Sequence, residues 1–529
     1  MAVLNFKGKA FVQNYHLQVK YHQLIPRKDK SLTDKVSLHD NLIIHGDNLK
    51  ALKALLPTYA GKIKCIYIDP PYNTGNEKWA YNDNVNSPMM QDWLDKVVDK
   101  EDLTRHDKWL CMMTPRLKLL RELLSEDGVI CISIDDIEVG KLLSLMDEIF
   151  GEHNKEEIVA WRRRHNQPND KTKPISKVAE FVVVYAKNLE YLKKTKGFHG
   201  IPLTGKFSNP DSDSRGDWAS KPWKSGTGQT GTRYKIKTPS GKVIEEEWLG
   251  TKQTYEKLLA DKRIYFSNKD ALPRKKYFKS EREIEGQCAH NFWDHKDFGS
   301  NQEASAELNE LGITFDNPKP TRLIKGILSI FSNADSLVLD SFAGSGTTAH
   351  AILALNKEDG GNRRFILVEC EDYADKITAE RVRRVIKGVK GAKDENLKKG
   401  LGSSFSYFDL GPPIEMESIL SGDDLPSYKD LARYVFYTAT GEEFDEKAID
   451  EKGNFIGESR EYLVYLFYKP DIDYLKATAL TLDRANALGP YKDKRRLVFA
   501  PTKYLDQDHL DQLRIDFAQL PFEIYKLVK

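Results

Sequence analysis

Along residues 41–151, short and nearly continuous apolar runs alternate with stretches whose apolar positions recur every three or four residues. "NLIIHGD" (41–47) is a run that ends in Gly46 and Asp47, "NLKALKALLPTYA" (48–60) has helical spacing, and "KCIYID" (64–69) is the next run. "WLDKVVDK" (93–100) and "MMTPRLKLLRELLSEDG" (112–128) are amphipathic, "GVICISID" (128–135) is a third run, and "VGKLLSLMDEIFG" (139–151) is another helix. Strands apolar on both faces and separated by amphipathic helices predict an α/β fold, a parallel sheet covered by helices on both sides. "EFVVVYA" (180–186) closes the segment with one more strand.

The alternation breaks between 191 and 300, where Gly, Pro, Lys, Ser and Trp dominate ("SRGDWASKPWKSGTGQTGTRYKIKTPSGK", 214–242), which reads as an inserted, loop-rich module. "GTGQTG" (226–231) matches GxGxxG in form, but no apolar strand precedes it and "TRYKIK" after it is not helical, so it is expected to be a loop. The α/β pattern resumes with "NPKPTRLIKGILSIF" (317–331), "SLVLD" (336–340), "SGTTAHAILALN" (345–356), "RRFILVE" (363–369) and "ADKITAERVRRVIKG" (374–388). "GAKDENLKKGLGSSF" (391–405) has linker composition. Four segments are therefore expected: 1–190, an insertion at 191–300, a return to the first domain at 301–400, and a small separate α/β domain at 401–529.

Composition narrows the class. At 40% hydrophobic and 30% charged residues the chain reads as a soluble protein, and its longest apolar runs fall short of the roughly 20 residues that a membrane span needs. The N-terminal "MAVLNFKGKAFVQNYHLQVKYHQ" carries lysines where a signal peptide has its apolar core, so a cytoplasmic location is expected. The five cysteines are scattered and mostly inside apolar runs with no CxxC pair, which reads as reduced core thiols and no metal site. The net charge of +2 is uninformative, but two basic clusters are not: Arg162, Arg163 and Arg164 after Trp161, and Arg274, Lys275 and Lys276 within "PRKKYFK" (273–279). Basic and aromatic residues together suit nucleic-acid phosphate contacts and base stacking, with a solvated basic face as the competing reading.

Two motifs carry chemistry. "SLVLDSFAGSGTTAHA" (336–351) is strand, glycine turn and helix start: Gly344 and Gly346 allow positive φ, and Ser345, Thr347 and Thr348 are placed to cap the helix. It lacks the lysine of a P-loop, which disfavours ATP hydrolysis. Glu369, at the tip of the next strand, is placed to accept hydrogen bonds from both hydroxyls of a ribose. The strand "CIYI" stops at Asp69, Pro70, Pro71 and Tyr72. The two prolines remove N–H donors and stiffen the loop, so the Asp69 carboxylate and the Pro70 carbonyl point outward as two acceptors, matching one amino group, while Tyr72 offers a face for a planar base.

DPPY at 69–72, FAGSGTT at 342–348, the acid at 369 and NPKP at 317–320 resemble the amino-methylating DNA methyltransferases that use S-adenosylmethionine (SAM), in the motif order of their β group. "GDNLKALKAL", "DPPYNTGNEKWAYND", "GVICISIDDIE", "DKRIYFSN", "SNQEASAELNELG" and the terminal "LPFEIYK" are similar to the modification (Mod) subunits of type III restriction-modification systems. The resemblance implies a Rossmann-like, mostly parallel seven-stranded sheet with one antiparallel strand near an edge, for which "EFVVVYA" is the candidate. It also implies that the insertion recognises the target and that transfer goes to N6 of a flipped adenine in double-stranded DNA, DPPY favouring adenine N6 over cytosine N4. Asp69, Pro70, Pro71 and Tyr72 would hold the base. Asp340, Phe342, Gly344, Gly346, Thr347, Thr348 and Glu369 would line the SAM pocket, Asp47 would contact the cofactor adenine, and Lys319 would help hold its methionine end.

The same resemblance implies a homodimer that recruits a restriction (Res) subunit, with the C-terminal domain as a candidate interface. "KPD" (469–471) is followed by no (D/E)xK, so cleavage is expected from a partner. Three readings remain open at this level: a type III Mod enzyme, an orphan or type II methyltransferase or DNA-reading module with little catalysis of its own, and methylation of RNA or a free base.

Overall fold

The computed structural model describes residues 4–72, 105–166, 171–172, 174–201, 206–414, 425–442, 444–491 and 493–520. The expected helix at 93–100, the match that runs on past Tyr72, and the end of "LPFEIYK" lie outside the described residues. The chain forms two compact units, His199–His290 and the remainder.

The larger unit is built on a ten-stranded sheet ordered His22–Pro26, Ser406–Pro413, Leu42–His45, Arg364–Glu369, Leu337–Asp340, Ile63–Ile68, Leu124–Ile134, Ala179–Ala186, Lys155–Arg162 and Phe292–Trp293. The seven strands from Leu42–His45 to Lys155–Arg162 make the expected mostly parallel sheet, and among them Ala179–Ala186, the "EFVVVYA" strand, runs antiparallel to both of its neighbours. Three further strands were not anticipated as members of this sheet. Ser406–Pro413 lies parallel to Leu42–His45, His22–Pro26 antiparallel to Ser406–Pro413, and Phe292–Trp293 parallel to Lys155–Arg162.

Ile63–Ile68 and Leu337–Asp340 are buried at every position, as strands covered on both faces must be. Alternate residues Leu42, Ile44, Ile66, Ile68, Ile130 and Ile132 join one apolar core with Leu52 and Leu55 of helix Asn48–Tyr59 and Leu117 and Leu120 of helix Arg105–Leu123. That helix ends at Leu123 rather than running on to Gly128, because Leu124 already pairs with Ile63 of the sheet.

The region beyond 400 is not the separate domain that its composition suggests. Ser406–Pro413 belongs to the central sheet, and helix Tyr428–Thr440 packs onto the body, with Tyr434 and Tyr21 ring centroids 4.8 Å apart. Beyond it, Phe455–Glu458, Tyr462–Leu466, Arg495–Ala500 and Ile515–Gln519 form a four-stranded sheet whose last three strands are parallel and joined through short helices. Val464, Leu466, Leu497 and Phe499 face one core with Leu431 and Val435, while Leu463, Tyr465, Val498 and Ala500 face another.

The smaller unit contains the antiparallel sheet of Ile264–Tyr265, Arg274–Phe278 and Trp218–Pro222, and the hairpin Thr232–Lys237/Val243–Trp248. Trp223 and Trp248 pack with Tyr234, Ile236, Tyr255 and Ile264 as its core. Residues 226–231 form a loop, with a turn in which the Gln229 N–H donates to the Gly226 carbonyl.

Candidate active site

Three adjacent parallel strands end in an acid at the same edge of the sheet: Arg364–Glu369 in Glu369, Leu337–Asp340 in Asp340, and Ile63–Ile68 one residue before Asp69. Leu42–His45, the next strand along, is followed two residues later by Asp47. The carboxyl ends of parallel strands form the ligand crevice of an open α/β sheet.

Asp69 does not stand alone. Lys319 Nζ donates to Asp69 Oδ2 at 2.6 Å, lies 3.6 Å from Glu180 Oε2, and sits 4.9 Å from the centroid of the Tyr72 ring. The Tyr72 hydroxyl donates to Glu180 Oε2 at 3.2 Å, and Arg163 Nη1 approaches Glu180 Oε1 at 3.0 Å. Burial pushes the Lys319 ammonium down, but Asp69 and Glu180 outweigh it and the net direction is up, so Lys319 is charged. The Tyr72 phenol is raised well above its ordinary value by burial, then by the negative charges of Asp69 and Glu180. The Trp109 indole N–H donates to the Pro71 carbonyl at 2.7 Å, which anchors the loop just past the Pro70 carbonyl.

Pro320 precedes helix Thr321–Phe331 as its N-cap, so the rigid proline segment delivers Lys319 into the crevice. Lys319 was expected at the methionine end of a cofactor; here its ammonium lies against the Asp69 carboxylate.

The glycine turn adjoins this group. Gly344 (φ 51°) and Gly346 (φ 79°) adopt left-handed backbone, and a Cβ on Gly346 would stand 3.0 Å from the Thr378 carbonyl oxygen. Gly346 itself is the N-cap of helix Thr347–Asp359, so the capping expected of Ser345, Thr347 and Thr348 does not occur. Their hydroxyls are used inward instead. Thr348 Oγ1 donates to Asp340 Oδ2 at 2.5 Å, Thr347 Oγ1 donates to the Lys319 carbonyl at 3.2 Å, and the buried Arg381 guanidinium donates to Ser345 and Thr347 at 3.0 and 2.9 Å. Phe342 is buried, and its N–H donates to Asp340 Oδ1 at 3.0 Å.

Glu369 accepts from the Gly344 N–H at 2.7 Å, the Cys370 N–H at 2.9 Å and the Glu371 N–H at 3.1 Å. Burial raises both Asp340 and Glu369 to about 7; the neighbouring charges of Asp69 and Glu369 add to the effect at Asp340, while three backbone donors moderate it at Glu369. Asp47 caps helix Asn48–Tyr59 through Lys50 N–H at 3.0 Å and lies 3.5 Å from Arg116 Nη2. Acids crowded around a glycine turn fit a ligand that is cationic and carries hydroxyl donors.

The two basic clusters divide. Arg163 turns into the crevice onto Glu180, and Arg162 lies 3.5 Å from Asp294 while Arg164 is half-exposed. In the smaller unit Lys276 is 3% exposed and ion-paired with Asp211 and Asp213, because strand alternation turns it inward with Phe278; it is removed from any phosphate-binding face. Arg274 hydrogen-bonds Ser220, and Lys275, Lys221 and Arg282 surround the Tyr277 ring at 4.9, 5.6 and 5.9 Å. Trp218, Trp223 and Trp248 are buried, so they are core residues and not surface wedges.

Glu180 escaped the sequence reading. Its signal was an acid at the head of an apolar strand, the same kind of signal that singled out Asp69 at the tail of one.

Residues 63–380 match the family model described as DNA methylase (N6_N4_Mtase). The chain is 31% identical to the type III restriction-modification enzyme StyLTI Mod subunit of Salmonella typhimurium, across 98% of this chain and 84% of that protein. It is 28% identical to the EcoPI Mod subunit of Escherichia phage P1 (79% and 73% covered) and 32% identical to the type II methyltransferase M.KpnI of Klebsiella pneumoniae (64% and 82%). Among solved structures, the cytosine-N4-specific PvuII DNA methyltransferase aligns with 68% of this chain and 92% of its own at 13% identity and a TM-score of 0.35.

Proposed function

The chain belongs to the DNA methylase family and is a SAM-dependent DNA methyltransferase; from that premise we propose that it methylates N6 of adenine in double-stranded DNA as the Mod subunit of a type III restriction-modification system. The observation that carries the chemistry is the Asp69 carboxylate held beside Tyr72 at the strand edge that also bears the glycine turn and Glu369. SAM supplies an electrophilic methyl on a sulfonium and is itself a cation with ribose hydroxyls, as the acid-rich edge requires. Glu369 would hold the ribose, the turn from Phe342 to Gly346 would let the cofactor approach the backbone, and Tyr72 would stack on the flipped base.

Asp69 and the Pro70 carbonyl accept the two N–H bonds of the exocyclic amine. This draws its lone pair out of conjugation and aims it along the line of transfer. SAM, when bound, would supply the methyl to this lone pair, the S–C electron pair staying on sulfur, and the proton that the nitrogen then sheds would pass by way of Asp69 to water. Flipping the base costs a few kcal/mol, which stacking on Tyr72 at about 1–3 kcal/mol helps to offset.

Kinship with the StyLTI and EcoPI Mod subunits supports the type III assignment and, with it, a Res partner; a homodimer in the cytoplasm is proposed alongside, and the similarity to the type II methyltransferase M.KpnI favours a stand-alone enzyme instead. Sequence recognition is assigned to the smaller unit, where Lys275, Lys221 and Arg282 around Tyr277 are candidate phosphate contacts that hold the DNA against it. Among the described residues no helix is long and apolar enough to cross a membrane.

The test is transfer of labelled methyl from SAM to a plasmid rich in sequence contexts, wild type beside Asp69→Ala, with the modified base identified by mass spectrometry. N6-methyladenine from the wild type and its loss in the variant is the expected result. N4-methylcytosine, or transfer that survives in Asp69→Ala, refutes the assignment.

A further inference from the structure

We infer that Glu180 is a positioning residue for methyl transfer: it is the second counter-ion onto which Lys319 moves when the target amine displaces it from Asp69. The inference rests on the reading that Asp69 accepts that amine. Lys319 Nζ engages Asp69 Oδ2 at 2.6 Å, so an amine that binds at this oxygen competes with the lysine for it. A displaced ammonium that is nearly buried needs another anion within reach. Glu180 Oε2 lies 3.6 Å from the same nitrogen, and about 1 Å of movement brings it to hydrogen-bond distance.

Glu180 is itself 4% exposed, on a strand position whose same-face neighbours are Val182 and Val184. A carboxylate there is destabilising unless it is paired, and its side-chain partners among the described residues are members of this site: Lys319, the Tyr72 hydroxyl and Arg163. Asp69 and Glu180 against Lys319 and Arg163 make a neutral quartet. Without Glu180 the quartet carries a net positive charge beside a nitrogen that becomes cationic as the methyl arrives, and Lys319 has Asp69 as its one remaining anion in the quartet. Both effects oppose the transition state more than they oppose binding of DNA or SAM.

The experiment measures single-turnover methyl transfer to plasmid DNA at saturating SAM, with SAM and DNA binding measured separately, for wild type, Glu180→Gln, Glu180→Asp, Glu180→Gln/Lys319→Met and Asp69→Asn. Glu180→Gln is expected to slow transfer about 10- to 100-fold with both affinities within about threefold of wild type. Glu180→Asp, which keeps the charge, should recover part of the rate, and removal of Lys319 in the double variant should recover about tenfold of the loss. A Glu180→Gln enzyme as fast as wild type, or a double variant no faster than Glu180→Gln, overturns the inference. If Glu180→Gln does not fold, Glu180→Asp carries the test: a loss as complete as that of Asp69→Asn overturns it. Full transfer by Asp69→Asn would instead overturn the underlying reading of Asp69.

Discussion

At the scale of single residues the site is governed by where negative charge is tolerated. Asp340 and Glu369 are both raised to about 7, first by burial. In the unfolded chain these carboxyls lose their protons near pH 4, whereas the folded protein holds them until about pH 7. Between those limits the native state binds more protons, so the stability of the ligand-free protein falls as pH rises and levels off above about 7. Thermal melting at pH 5 and pH 8 checks this: Asp340→Asn is expected to flatten the difference. A bound cation reverses the preference by favouring the ionised acids. SAM affinity, measured by calorimetry, is therefore expected to increase from pH 6 to pH 8 by up to about tenfold per proton released, and Glu369→Gln should lower affinity and reduce the slope. A SAM affinity independent of pH would contradict the charge states assigned to the pair.

At the scale of elements, one strand shows how a two-residue period separates roles that adjacent letters conceal. Lys275 and Lys276 are neighbours in "PRKKYFK", yet Lys276 is buried against Asp211 and Asp213 while Lys275 stays at the Tyr277 ring. Lys276→Met is expected to loosen residues 199–290, read as faster amide exchange across Trp218–Pro222 and Arg274–Phe278. Lys275→Ala should leave exchange unchanged, weaken DNA binding uniformly across sequences, and lower the salt slope of log affinity by about 1. Equal effects of the two substitutions on DNA binding would refute the division. The glycine turn makes a related point: Gly344 and Gly346 are readable as positive-φ residues, but the neighbouring threonines face inward to Asp340 and the Lys319 carbonyl.

At the scale of the whole chain, the described residues of 401–529 pack as part of the larger unit. Their first strand joins the central sheet between His22–Pro26 and Leu42–His45, and helix Tyr428–Thr440 packs near Tyr21, so this region belongs to the same compact unit as the crevice. The proposed homodimer is checked by sedimentation equilibrium of the full chain at moderate salt, where a species of twice the chain mass is expected. A strictly monomeric chain that still methylates DNA would support the stand-alone reading over the type III one.

What the sequence determined by itself is what depends on neighbours along the chain. Apolar runs and helical periods predicted the parallel sheet, Asp69-Pro70-Pro71-Tyr72 marked a strand end, and Gly344 and Gly346 marked a turn that other residues fit poorly. These follow from backbone sterics and hydrophobic periodicity, which act locally. Tertiary structure alone decided the company that Asp69 keeps. Ala179–Ala186 runs antiparallel between two strands of the opposite sense, and Glu180 pairs in register with Trp161, near the carboxyl end of Lys155–Arg162. The start of that strand therefore lies at the edge where the parallel strands finish, and an acid 111 positions from Asp69 in the chain meets the lysine that Asp69 binds. Strand direction is set by the pairing of the whole sheet, a nonlocal property that a local pattern of apolar letters does not carry.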